Sequence, residues 1–235
     1  MIEKTPPLYG FVSGGTSGIG LALAKGLKSA GYEVIAAGLG PLPKDETSLK
    51  FVDLDVRDEK AVNKLIGGLN KLDAVINAAG IIRREEELKP EVFDQVVDIN
   101  LNGTMRVCAA ARPLLAKSGG SILNIASMLS YFGGGLVPGY AASKGGIVQL
   151  TKSLAIAYAP DNIRVNAIAP GWIETPLTEN LQNDPAKYET IMNRTPMKRW
   201  GTTEDLIEPA LFMLGTGASF ITGTILNVDG GYAVM

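Results

Sequence analysis

The chain contains no histidine and one cysteine, Cys108, among its 235 residues. Without histidine, a Ser-His-Asp hydrolase, a Cys-His protease and an imidazole-ligated metal centre are excluded. One cysteine rules out an intrachain disulfide and a cysteine-rich zinc site. It falls in the helical stretch TMRVCAAAR and reads as a buried structural thiol. Excess charge is missing too: the formal net charge is −2, which leaves no electrostatic basis for a nucleic-acid or anionic-membrane partner. No apolar run reaches the roughly 18 residues of a membrane span. The opening MIEKTPPLYG carries an acid and two prolines; it does not read as a signal peptide, and the expectation is a cytoplasmic protein. Proton transfer is left to Tyr, Lys, Ser, Asp, Glu or water, and no metal site is evident.

What the chain does have is ordinary globular composition, 46% hydrophobic and 20% charged, arranged as short apolar runs alternating with longer amphipathic ones. Strands are expected at 8–13, 33–38, 49–54, 73–80, 121–127, 163–170 and 224–231. Helices are expected at 18–31, 59–70, about 90–117, about 140–159 and 204–214, the last strained in its middle by Pro209. Residues 171–202 are polar, proline-punctuated and expected to be irregular. Such alternation predicts an α/β protein: a single domain over 1–235 with a doubly wound parallel sheet of about seven strands and helices on both faces.

The stretch SGGTSGIG (13–20) follows the first strand and opens the first helix. Glycines there let backbone N–H groups approach an anion, and the helix dipole favours negative charge. The ligand this suits is the pyrophosphate of a dinucleotide. The end of the second strand, where the adenosine ribose is normally discriminated, reads Gly38–Leu39; neither a carboxylate for a 2′-hydroxyl nor a guanidinium for a 2′-phosphate stands there. Lys44 reads as a solvated loop lysine, the alternative being a phosphate contact. Asp55 is placed to bond an adenine amino group or to be a solvated turn residue. Tyr140 and Lys144 share a helix face one turn apart, so the ammonium is expected to favour the phenolate. Ser127 ends the fifth strand, where its hydroxyl would reach the same substrate oxygen.

These motifs together resemble the short-chain dehydrogenase/reductase family. SGGTSGIG is similar to its T-G-x-x-x-G-x-G, with Ser13 for threonine. NAAG (77–80) is similar to N-N-A-G, departing at Ala78. YAASK (140–144) matches Y-x-x-x-K, Ser127 stands thirteen residues before the tyrosine, Asn100 lies in DINLNG, and PGWIET (170–175) follows the sixth strand. The resemblance implies a Rossmann-type fold and Tyr140 as general acid/base. Lys144 would hold the nicotinamide ribose, Ser127 would polarise the substrate oxygen, and Asn100 would hold a water in a relay from Lys144. It implies cofactor contacts at Ser13, Gly14, Thr16, Ser17, Gly18, Ile19, Gly20, Asp55, Val56, Asn77, Ala78, Gly80, Pro170, Gly171, Ile173 and Thr175, with Asn77, Gly80 and Asp55 on the adenosine side.

AGIIRR (79–84), IASMLSYFGG (125–134), VPGYAASKGG (137–146) and RTPMKRWG (194–201) are more narrowly similar to dehydrogenases of 2-deoxy-gluconate and 2-keto-3-deoxy-gluconate. That likeness implies a hydride exchanged between a nicotinamide cofactor, NAD ahead of NADP, and a secondary hydroxyl of a sugar acid. Arg83, Arg84 and Arg199 are candidates for the substrate carboxylate, and Met128 and Trp172 for the pocket wall. Residues 172–200 would form a mobile lid whose Trp172, Tyr188, Met192 and Trp200 roof the nicotinamide. Family members are usually homotetramers, which is the assembly expected here. The competing readings are a 3-oxoacyl-carrier-protein reductase and a non-catalytic dinucleotide-binding regulator.

Overall fold

The computed structural model describes residues 7–43 and 47–235, so Lys44 lies outside the described residues. Strands β1 (Leu8–Ser13), β2 (Tyr32–Gly38), β3 (Lys50–Asp53), β4 (Ala74–Asn77), β5 (Ser121–Ile125), β6 (Arg164–Pro170) and β7 (Ile225–Val228) form one parallel sheet. Their order is β3-β2-β1-β4-β5-β6-β7. The chain reverses its direction of winding between β1 and β4, so a crevice opens at the carboxyl edge there.

Helices cover both faces: α1 (Gly18–Ser29), α2 (Glu59–Gly67), α3 (Pro90–Val97), α4 (Gly103–Ser118), α5 (Pro138–Tyr158), α6 (Glu179–Gln182), α7 (Pro185–Arg194) and α8 (Ile207–Leu214). The strand period of two decides which residue faces which layer. Phe11, Val75, Ile122 and Val165 pack with Val62 and Ile66 of α2, Val107 and Leu115 of α4, and Leu154 of α5. Their neighbours Val12, Ile76, Leu123 and Ile168 pack on the other side with Leu23 and Leu27 of α1 and Ala210 and Met213 of α8. Gly26 lets α1 and α8 close up, since a Cβ there would lie 2.6 Å from Cγ2 of Ile207. Cys108 is fully buried in the first layer, and burial pushes its thiol up to about 12, which leaves it inert at neutral pH.

Three local expectations are corrected. The helix expected over 90–117 is divided by a π-helical turn at Asp98–Asn102, a form often found at functional sites. Pro209 does not strain a helix middle: it occupies the first turn of α8, where its missing N–H has no intrahelical partner to lose. Residues 171–202 are not irregular throughout, because α6 and α7 form there. Asp184 caps α7 through the N–H groups of Ala186 and Lys187. Leu181, Ile191 and Trp200 give this segment a small core of its own, with Trp172 and Met192 packed against it. Among the described residues, no helix is long and apolar enough to cross a membrane, and no group of His, Cys, Asp and Glu is placed to hold a metal.

Candidate active site

The glycine loop is built by exclusion of side chains. Gly14 has φ +70°, and a Cβ on it would lie 2.5 Å from the backbone N of Ala79; one on Gly20 would strike the carbonyl oxygen of Gly14. Gly14 is therefore wedged between the end of β4 and the start of α1. Ser17 at the N-cap makes no side-chain capping bond, and no acid stands in the first turn, so the N–H groups of that turn are left to an anion in the crevice. Across from them, Thr175 lies 3.9 Å from where a Cβ on Gly18 would be. These features fit the pyrophosphate of a dinucleotide.

Several residues assigned to that cradle serve it at one remove. The Asn77 side chain is buried. Its amide nitrogen donates to Asn124 Oδ1 at 2.9 Å and to Cys108 Sγ at 3.3 Å, and its oxygen accepts from the Ser13 hydroxyl at 3.3 Å. Asn77 thus ties β1, β4 and β5 together instead of pointing at adenosine. Val56 is buried against Gly103, leaving only its backbone for a ligand. Asp55 is held by Arg57 in a two-pronged pair, the shortest contact 2.6 Å, and the guanidinium keeps its carboxyl below the usual range. Ile173 is buried in the α1/α8 layer, and its carbonyl accepts from Thr178 Oγ1 at 2.7 Å. Gly171 lies against the Asp229 backbone, which a Cβ would meet at 2.7 Å. A side chain at position 38 would meet Thr16 Oγ1 at 2.7 Å, so the ribose-discriminating position of β2 is closed by the glycine loop itself.

The catalytic side is assembled around the first two turns of α5. Ser127 follows β5 and forms a reciprocal capping box with Ser130; Ser130 Oγ then donates to the Lys144 carbonyl at 2.7 Å, fixing this turn to α5. Tyr140 lies in the first turn of α5. Its backbone N–H donates to Glu87 Oε2 at 2.7 Å, while Oε1 of the same carboxylate accepts from the Arg83 N–H at 2.7 Å. Glu87 is only 1% exposed, so a buried anion anchors the positive end of the helix that carries Tyr140. Asn100, presented by the π turn, pairs with both backbone groups of Ile81 (2.8 and 3.0 Å) and donates to Ser143 Oγ at 3.1 Å. Its two side-chain N–H donors are spent on the Ile81 carbonyl and the Ser143 hydroxyl, so only its oxygens remain to accept from a water. A Cβ on Gly80 would lie 3.3 Å from Asn100 Oδ1 and 3.9 Å from Lys144 Nζ, which places Gly80 beside both.

Lys144 is buried, its Nζ donating to the Ile125 carbonyl at 2.6 Å and lying 5.6 Å from the Tyr140 ring centre. Burial lowers its ammonium to about 8. The expected effect on Tyr140 is reversed. Burial pushes the phenol up, and the negative charge of Glu87 adds to this; the Ser127 hydroxyl, bonded to the phenol, and the positive charge of Arg84 work the other way. Desolvation sets the direction because a buried phenolate loses more hydration than the Ser127 hydroxyl and the Arg84 charge return.

Ser127 and Tyr140 open on a cleft of about 150 Å³, lined also by Met128, Arg84 and Trp172. Arg83 is exposed outside it, and Arg199 is engaged in a bidentate pair with Asp205 at 2.6 and 2.8 Å; neither is available there as expected. Trp200 is a core residue of the 172–200 segment, with Tyr188 stacked on it, and not part of a roof. Sequence reasoning missed Glu87, Arg194 and Tyr232. Arg194 stands in RTPMKRWG, but nothing in the sequence separates it from Lys198 and Arg199; Tyr232 follows DGG, whose glycines at φ +62° and +85° turn the chain back toward the cleft.

A family model described as enoyl-(acyl carrier protein) reductase matches residues 14–233. The 2-dehydro-3-deoxy-D-gluconate 5-dehydrogenase of Dickeya dadantii is 35% identical, covering 99% of each chain. The chain belongs to the short-chain dehydrogenase/reductase family. The chain is also 35% identical to the 3-oxoacyl-[acyl-carrier-protein] reductase FabG of Thermotoga maritima, over 95% of its own length and 96% of that protein. Among solved structures, a gluconate 5-dehydrogenase from Burkholderia cenocepacia in complex with NADP and tartrate superimposes with a TM-score of 0.90 at 28% identity, covering 99% and 97% of the two chains. The protein is an oxidoreductase of CH–OH groups that uses a nicotinamide cofactor.

Proposed function

We propose that the substrate is a sugar acid whose secondary hydroxyl is interconverted with a ketone. The observation that carries this reading is the placing of Arg84 in the same cleft as the Ser127–Tyr140 hydroxyl pair, with its charge acting on the phenol. The names of the gluconate-type relatives support it. The substrate oxygen sits between Ser127 Oγ and the phenol. In oxidation the deprotonated form of Tyr140, which grows as pH rises, takes the alcohol proton while Ser127 holds the oxygen; in reduction the protonated phenol gives its proton to the ketone oxygen. The bound nicotinamide supplies the hydride acceptor or donor at its C4. Gly14, Gly18 and Gly20 hold its pyrophosphate end, and Lys144, 2.6 Å from the Ile125 carbonyl, keeps a buried positive charge beside the phenol. Gly80 and Asn100 shape the wall next to that ammonium, and the relay through an Asn100-bound water is part of the proposal.

For the cofactor, the expectation of NAD ahead of NADP comes from the likeness to the gluconate-type dehydrogenases, and Gly38–Leu39 by itself favours neither. The solved relative holds NADP, and we take NADP as the working assignment. Ile156 (78% exposed, on α5) and Met105 (39%, on α4) are apolar contacts suited to a homotetramer, and the segment 172–200 is proposed as the lid. The setting is taken to be cytoplasmic.

The test follows absorbance at 340 nm with NADPH and NADH in parallel, against sugar acids, keto sugar acids and acetoacetyl thioesters. Sugar-acid turnover at least tenfold more efficient than thioester reduction is expected. The reverse order favours the carrier-protein reductase that the Thermotoga relative represents, and cofactor binding without turnover favours a regulator. Light scattering checks the assembly.

A further inference from the structure

Arg194, the last residue of α7, lines the cleft that contains Ser127 and Tyr140. Its guanidinium carbon lies 4.2 Å from the ring centre of Tyr232 and 4.7 Å from that of Phe132. The two rings stand at 73° to one another with centres 6.3 Å apart, so the guanidinium is seated in a corner of aromatic walls. Nη1 donates to the Tyr232 hydroxyl at 3.2 Å. Among the described residues no carboxylate forms an ion pair with it. Asp229, three residues before Tyr232, has both oxygens engaged by the N–H groups of Gly231 and Ala233. Arg199, five residues further along, shows the opposite arrangement, being neutralised by Asp205.

We propose that Arg194 is the carboxylate anchor of the substrate site and so determines the preference for an anionic over a neutral polyol. Aromatic faces attract the cation and fix its plane without consuming its N–H donors. One donor goes to Tyr232, and those that remain offer the planar two-pronged edge that a carboxylate accepts. A guanidinium oriented in advance loses little freedom when the anion arrives. Arg84, the other cation in this cleft, acts on the phenol, so the two arginines divide the work: Arg84 near the reacting oxygen, Arg194 at the acid end of a polyhydroxy monocarboxylate.

The inference rests on the sugar-acid reading, and its test is chosen to fail separately. Gluconate and its uncharged analogue sorbitol are titrated into the NADP-loaded protein, followed by tryptophan fluorescence, which Trp172 in the cleft reports. The wild type, Arg194→Met and Arg194→Lys are compared, with melting temperature as the check on folding. Expected is a ten- to hundredfold weaker gluconate affinity in Arg194→Met, an intermediate loss in Arg194→Lys, and sorbitol affinity unchanged in all three. Equal losses for gluconate and sorbitol, equal gluconate affinity in wild type and Arg194→Met, or no gluconate binding by the wild type would each overturn the anchor. Intact, Arg194-dependent gluconate binding without turnover of any sugar acid would overturn the functional reading and leave the anchor standing.

Discussion

The cofactor side and the substrate side of this crevice are built by different means. The cofactor side is made largely of backbone: Gly14, Gly18 and Gly20 shape it by lacking side chains, and the Asn77 side chain faces inward to bind β1, β4 and β5 together. The substrate side is made of side chains brought from the turn after β5, from α5, from α7 and from the C-terminal turn: Ser127, Tyr140, Arg194 and Tyr232. The backbone cradle has no room for a side chain at Gly14 or Gly20, whereas a side-chain wall tolerates exchange and is where specificity is set.

The comparison can be broken most forcefully at Tyr140. Tyr140→Phe is expected to lower turnover by about 10²–10⁴-fold while NADP affinity, measured by fluorescence titration, stays within about twofold; parallel loss of binding would mean that the two sides are not separable. Gly14→Ala should act in the reverse sense. The residue has φ +70° and no room for a Cβ, so a cost of about 2–4 kcal/mol in denaturant unfolding is expected, together with loss of NADP binding.

Smaller effects sharpen the substrate side. Glu87→Gln leaves one buried N–H poorly paired and removes the negative charge that raises the Tyr140 phenol. Turnover should fall about five- to tenfold, and the rising limb of the oxidation pH profile should move to lower pH. A fall in rate with the profile unmoved would reduce Glu87 to a purely structural anchor. Lys144→Met should abolish useful turnover yet stabilise the fold. The Lys144 ammonium titrates near 8 when folded and near its ordinary value when unfolded, so the unfolded chain binds more protons between those values. The cost of the buried charge is complete below pH 8 and fades as pH rises toward about 10.5. After loss of the bond to Ile125, the gain expected from chemical unfolding at pH 7 is about 1–2 kcal/mol, shrinking at high pH.

The legible parts of the sequence were those governed by local rules. Strand and helix alternation placed the sheet, and SGGTSGIG and YAASK marked the cradle and the catalytic helix, because glycine geometry and a four-residue helical spacing are visible without tertiary contacts. The π turn at Asp98–Asn102 was not legible, since it lies inside an otherwise helical pattern. The roles of Arg83, Arg84, Arg194 and Arg199 were not legible either. Four guanidiniums look alike in sequence, and only the fold gives Arg199 a carboxylate at 2.6 Å and Arg194 two aromatic rings.

The chain by itself settled the absence of imidazole chemistry and the parallel sheet, because composition and periodicity act residue by residue, and motif spacing brought forward Ser127, Tyr140 and Lys144 as candidates. Tertiary structure alone decided the charge balance. Burial pushed the Tyr140 phenol up and the Lys144 ammonium down, Asp205 neutralised Arg199, and no anion among the described residues pairs with Arg194. Desolvation and pairing depend on which groups the fold brings together, a property no linear pattern carries.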